Sequence, residues 1–154
     1  MIKRTLFFFV AMNAIIFSAA QAANPMSRLD HLVGKWNCTY DSGSQQSSYS
    51  ASFAFTQGGK WLRETDAWPG GGDEALMTYV PATRTWITMV ADSGRGATTF
   101  QAKETGTTTL VYHSVYPNSA MTVTYRFVSA TRFDVHAAIA GAHPSTNADA
   151  CTKT

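Results

Sequence analysis

From Ser47 onward the chain alternates. In SSYSASFAFT, Ser47 to Thr56, the residues Tyr49, Ala51, Phe53 and Phe55 share one parity and Ser48, Ser50 and Ser52 the other. A period of two predicts a strand with one dry face. Gly58 and Gly59 mark a tight turn into KWLRETDA, Lys60 to Ala67, so the pair reads as a hairpin. The break PGGGDE precedes a strand from Ala75 to Val80, and Pro81 to Thr83 turns the chain into RTWITMVAD, where both parities carry apolar groups. SGRG, Ser93 to Gly96, is a turn before ATTFQAK; further strands follow at Thr107 to Tyr116, Met121 to Val128 and Phe133 to Ile139. With the segment around Trp36, this makes about nine short strands joined mostly by tight turns, preceded by one helical turn containing Met26, Leu29 and Leu32. Nearly consecutive hairpins predict an all-β, antiparallel up-and-down barrel, because closure removes the exposed edges of an open meander.

The ends of the chain change the picture. Lys3 and Arg4 precede an apolar run from Leu6 to Phe17, and Ala20 and Ala22 fit the small-residue rule for cleavage. Residues 1–22 therefore read as a secretory signal peptide and 23–154 as a single domain, secreted or periplasmic, with no later apolar stretch long enough to span a bilayer. Losing Lys3 and Arg4 takes the net charge from +2 to zero, which removes any electrostatic case for nucleic acid. Cys38 and Cys151, both in the exported part, read as one structural disulfide tying the tail AIAGAHPSTNADACTKT to the first strand.

The cluster LVGKWNCTY, Leu32 to Tyr40, carries a resemblance. Gly34, Lys35 and Trp36, after a short helical lead and before a meander, resemble the entry strand of the lipocalin-like (calycin) superfamily of β-barrels. The resemblance implies that Trp36 plugs the closed end with an arginine over its ring, here Arg132 or Arg126. The order of GKW.C, GGKWLRE, TYVPATRTW and ADSGRGATTF is also similar to small secreted bacterial barrels of lipocalin-like fold and unassigned function. The second and third lipocalin motifs are not recognisable, so no retinol-type or odorant-type ligand carries over. Some relatives hold haem through a late-strand histidine, which would be His136.

A barrel of this size holds packed side chains or one small ligand. The expected occupant is a small apolar or amphipathic molecule, with Trp61, Trp86, Tyr112, His113 and Tyr125 lining the pocket and Arg63 or Arg126 orienting a polar head. No cofactor or metal motif is present: His31 and His143 have no neighbours at ligand spacing, and SGRG lacks the lysine and following helix of a phosphate loop. Glu64 and Asp66 share a strand face and could act as paired carboxylates, but flanking Arg63 and Lys60 favour a solvated outer face. Pro69 to Gly72 could serve as a lid beside Trp68. Asn37, Cys38 and Thr39 satisfy a glycosylation sequon that the disulfide argues against. Two readings stand beside non-enzymatic binding. One is a small hydrolase or isomerase with His113 or His136 as base; the other is a homodimer made through the apolar outer face of the 84–91 strand.

Overall fold

The computed structural model describes residues 24–94, 96–103, 108–117 and 120–154. The leader expected at residues 1–22 lies outside them. Ten strands follow in chain order: β1 (Gly34–Asp41), β2 (Gln46–Thr56), β3 (Trp61–Trp68), β4 (Gly71–Val80), β5 (Thr85–Asp92), β6 (Gly96–Lys103), β7 (Thr109–Tyr116), β8 (Met121–Ser129), β9 (Arg132–Ile139) and β10 (Ser145–Lys153). Each pairs antiparallel with its neighbours in sequence, and β10 returns to β1, so the meander closes into a barrel.

The count is ten rather than nine because the C-terminal tail is itself a strand. Its inward positions are Asn147, Asp149 and Cys151, and with so little apolar character the tail does not announce a dry face. It forms because both its edges are taken: β9 pairs along one side and β1 along the other. Cys38 lies directly opposite Cys151 in the β1–β10 register, and the two are joined by a disulfide. The covalent link thus sits at the seam where the first and last strands meet, closing a loop with a sequence separation of 113 residues.

The end where β1 begins is plugged. Asn24 caps a 3-10 helix, Pro25–Leu32, its side chain accepting from the Met26 amide, and the helix lays Met26, Leu29 and Leu32 across the barrel. Trp36, 1% exposed, donates from Nε1 to the Leu32 carbonyl at 2.7 Å and meets Phe133 edge-on at 4.8 Å. The cation over its ring is Lys153, with Nζ 5.3 Å from the centroid, and not Arg132 or Arg126. Both arginines point outward from β9 and β8 and hold Asp134, at 3.2 and 2.8 Å. Lys153 instead reaches the plug from the last strand and donates to the His31 carbonyl. Gly34 makes room for it. With φ at +128°, a β-carbon there would stand 3.1 Å from Lys153 Cε.

Candidate ligand cavity

Strand parity decides what faces the lumen. On β3 the inward set is Leu62, Glu64, Asp66 and Trp68, so Trp61, Arg63 and Thr65 belong to the outer wall. β4 and β5 follow the same rule, with Asp73, Ala75 and Met77 inward on one and Trp86, Thr88, Val90 and Asp92 on the other. Along β4 and β5 the inward residues grade from apolar at the plugged end to acidic at the far end, and on β3 Leu62 gives way to Glu64 and Asp66 before Trp68 at the rim. The upper half of the barrel is a cavity of about 480 Å³ that opens between strand ends opposite the 3-10 helix.

The walls differ in chemistry. Glu64, Asp66, Asp73, Asp92 and Asp149 contribute five carboxyl groups from β3, β4, β5 and β10. Phe100, Val123, Met121 and Val135, from β6, β8 and β9, make the apolar side. Tyr112 and Tyr125 meet edge-to-face at 5.9 Å, and the Tyr125 hydroxyl donates to Glu64 Oε2 at 3.2 Å. Among the described residues, no lysine or arginine lines this space.

Asp66 pairs directly with Asp73, and Asp73 with Asp92, so three carboxyl groups form one lateral row. Like charges opposite each other on neighbouring strands are destabilising. Asp66 and Asp73, with Glu64 beside them, hold their protons more tightly than ordinary carboxyl groups do. Glu64 is 6% exposed, and burial, followed by the nearby Asp66 and Asp73, pushes its carboxyl well above the usual range. Burial and the charge of Asp73 raise Asp66 to about 8. Asp73 is raised to about 6 by burial and then by Asp92, and Asp149 to about 6, mainly by burial. Burial also holds Tyr112 up at about 12.

Some polar groups have no partner to satisfy them. The Tyr112 hydroxyl, on a residue 1% exposed, and the Thr88 hydroxyl, on one 4% exposed, lie close together, yet neither has a hydrogen bond of good geometry. One oxygen each of Asp66 and Asp149 is buried without a hydrogen bond as well. Buried polar atoms are normally satisfied, so a group of orphans around one cavity marks a place where a ligand or water belongs.

Of the side chains expected in the pocket, Tyr112 and Tyr125 line it. Trp86 lies beneath it, fully buried against Tyr79 with the Arg28 guanidinium 6.0 Å from its ring. Trp61 and Arg63 are on the outer wall, where Arg63 sits 3.7 Å from Glu74. His113 is exposed there as well, its Nδ1 3.3 Å from the Thr122 hydroxyl, and Arg126 is bound to Asp134. His136 is also exposed. The expected assignment of charge was thus reversed: arginines face solvent, and Glu64 and Asp66 face the lumen. Leu62 carried the signal for this, sharing their parity. Asp73, Asp92, Asp149, Tyr49 and Thr88 were not anticipated. The loop expected at Pro69 to Gly72 reduces to the turn Pro69–Gly70, because Gly71 and Gly72 already belong to β4. A β-carbon on Gly72 would fall 2.5 Å from the Asp66 carbonyl oxygen, so the first turn of backbone beside the acidic row requires glycine.

No family model matches the chain. No curated protein matches it either. Among solved structures it is similar to the S-type phycobiliprotein lyase CPES from Guillardia theta, at 12% identity and a TM-score of 0.49 over 82% of this chain and 89% of that one. It is also similar to a redesigned β-barrel, at 12% identity and a TM-score of 0.43 over 86% and 99% of the two chains. A third likeness is to EF1p2_mFAP2b bound to DFHBI, at 16% identity and a TM-score of 0.42 over 84% and 99%. At these values no ligand or activity passes to this chain. The calycin resemblance holds at the level of a closed antiparallel barrel.

Proposed function

We propose that this protein is an exported, non-enzymatic barrel that binds a small amphipathic molecule in its lumen. The observation that carries the reading is the cavity, about 480 Å³, open at one end and lined by an acidic wall facing an apolar one. That volume and that mixture suit a small organic ligand. A core built only for stability would fill the space, since interiors pack densely and voids cost stability. An enzyme working through His113 or His136 finds no support in the lumen, because both rings stand outside it. Export is supported by the leader-like residues 1–22 and by the Cys38–Cys151 bond, a linkage that persists in oxidising compartments.

Native mass spectrometry of protein isolated from its own host tests both parts. The expected spectrum shows a chain starting at Ala23, two hydrogens lighter than the reduced mass, with a small-molecule adduct released on activation. A barrel that emerges empty and takes up nothing from a metabolite and lipid panel removes the binding reading.

A further inference from the structure

Resting on that reading, we infer that the ligand is an organic cation, an amidinium, guanidinium or ammonium group on a compact apolar body. Its charge sits among Glu64, Asp66, Asp73 and Asp149, and its body lies against Phe100, Val123 and Tyr112.

Four observations converge on this. The lumen gathers the carboxyl groups of Glu64, Asp66, Asp73 and Asp149, and among the described residues no lysine or arginine lines it. The acidic row is built against its own stability, with Asp66, Asp73 and Asp92 opposite one another on three consecutive strands. The hydroxyls of Tyr112 and Thr88 and one oxygen each of Asp66 and Asp149 are buried without a hydrogen bond of good geometry, which leaves them able to bond a ligand. Finally, Tyr112 and Tyr125 present aromatic rings beside Glu64, and ring faces attract cations as carboxylates do. A metal ion is the less suitable occupant. Among the described residues, no three His, Cys, Asp or Glu side chains converge closely enough to hold one. An extended positive group with several N–H donors reaches carboxyl oxygens spread over neighbouring strands.

The proton balance follows. In the empty barrel Glu64, Asp66, Asp73 and Asp149 hold their protons above the usual carboxylate range, because burial disfavours their charged forms. A cation entering the row stabilises the carboxylate form, so Asp66, or a partner sharing its proton, gives up H⁺ to solvent as the ligand's charge takes its place. The groups facing Asp66 are Tyr49 from β2, Glu64 on its own strand, Asp73 from β4, Asp149 from β10 and Tyr125 from β8. His136, on β9, acts on Asp149. From the plug, Arg28 acts on Tyr112. Apart from these two the surroundings are acids, so affinity for a permanently charged ligand rises with pH.

Benzamidinium, benzamide and benzoate are planar, nearly equal in size, and differ in charge, which makes them suitable probes for calorimetry on the mature, disulfide-bonded protein. Benzamidinium is expected to bind at least roughly tenfold more tightly than benzamide at about pH 8, with benzoate weaker still. Its affinity is expected to fall by a similar factor by about pH 5, and its binding near pH 7 to release protons, read from the dependence of heat on buffer. Asp66→Asn, near the mouth and conservative in shape, is expected to abolish the preference for benzamidinium over benzamide, read as the ratio of the two affinities in the same variant. Should Asp66→Asn fail to fold, Asp73→Asn is the second variant. Equal affinity for benzamidinium and benzamide, or preference for benzoate, overturns the cation while leaving lumen binding intact. Failure of all three probes also overturns it, and the host-derived adduct then decides the wider reading.

Discussion

At Gly34 a single backbone position fixes how the barrel is stoppered. Its φ of +128° is one that L side chains rarely adopt, and Lys153 occupies the space beside it. Gly34→Ala should therefore cost about 1–3 kcal/mol, from backbone strain and displacement of the Lys153 stem. Urea unfolding of the two proteins measures this, and an unchanged midpoint would mean that the backbone relaxes freely. Asp66 decides a different property. Its carboxyl is raised to about 8 in the folded barrel from an ordinary value of 3.8, so the folded state holds a proton that the unfolded chain has lost across that interval. The stabilisation from holding it is complete below about pH 4 and disappears as pH rises towards 8. Asp73 and Asp149, raised to about 6, act in the same direction between about pH 4 and 6. Asp134 opposes them weakly: burial would raise it, but hydrogen bonds and charge from Arg126 and Arg132 hold it low. The melting temperature of the empty protein is expected to fall from about pH 5 to pH 8, and Asp66→Asn to flatten the upper part of that slope. A melting temperature that climbs over this interval would contradict the buried acid row.

At the scale of the element, β10 is the strand that converts a curved sheet into a closed one. It is held by two ladders and a disulfide, whose loop of 113 residues is worth roughly 4–5 kcal/mol of unfolded-chain entropy in the polymer model. Replacing both Cys38 and Cys151 by Ser should lower unfolding stability by up to about that amount. Equilibrium unfolding with and without reductant provides the comparison, and equal midpoints would show that the ladders alone carry the closure. The same strand shows where sequence reading stopped. The other strands were legible from apolar alternation, as with Tyr49, Ala51, Phe53 and Phe55 in β2, or from the turn signals that bound them, as Gly58 and Gly59 bound β3. In β10 the inward positions beyond Cys151, Asn147 and Asp149, face the acidic lumen and are accordingly polar. β3 was legible as a strand but assigned to the wrong side. Alternation specifies two faces without saying which is inside, and Arg63 and Lys60 drew Glu64 and Asp66 outward. Leu62 and Trp68, on the carboxylates' own parity, were the better guide. The arginine expected over Trp36 failed for a similar reason: a cation–π contact needs a cation within reach of the ring, and Lys153 arrives there through β10.

Across the whole molecule the barrel separates stability from recognition along its axis. The plugged end buries Leu29, Leu32, Trp36, Leu62, Met77 and Phe133, while the open end gathers carboxyl groups that repel one another once ionised. Natural sites commonly retain such locally unfavourable arrangements where ligand binding needs them. The two ends should therefore answer substitution in opposite ways. Leu29→Ala, which opens a void beneath the 3-10 helix, is expected to cost about 2–5 kcal/mol at every pH. Asp66→Asn combined with Asp73→Asn is expected to raise the melting temperature of the empty protein near pH 8, because it removes two groups that must either hold a proton or ionise inside the barrel. Near pH 4, where those groups are protonated already, the same double variant should melt close to the wild type. Calorimetric melting of the three proteins at both pH values tests the separation. A double variant less stable than the wild type at pH 8 would show that the acidic row supports the fold, and the division between a structural end and a binding end would have to be given up.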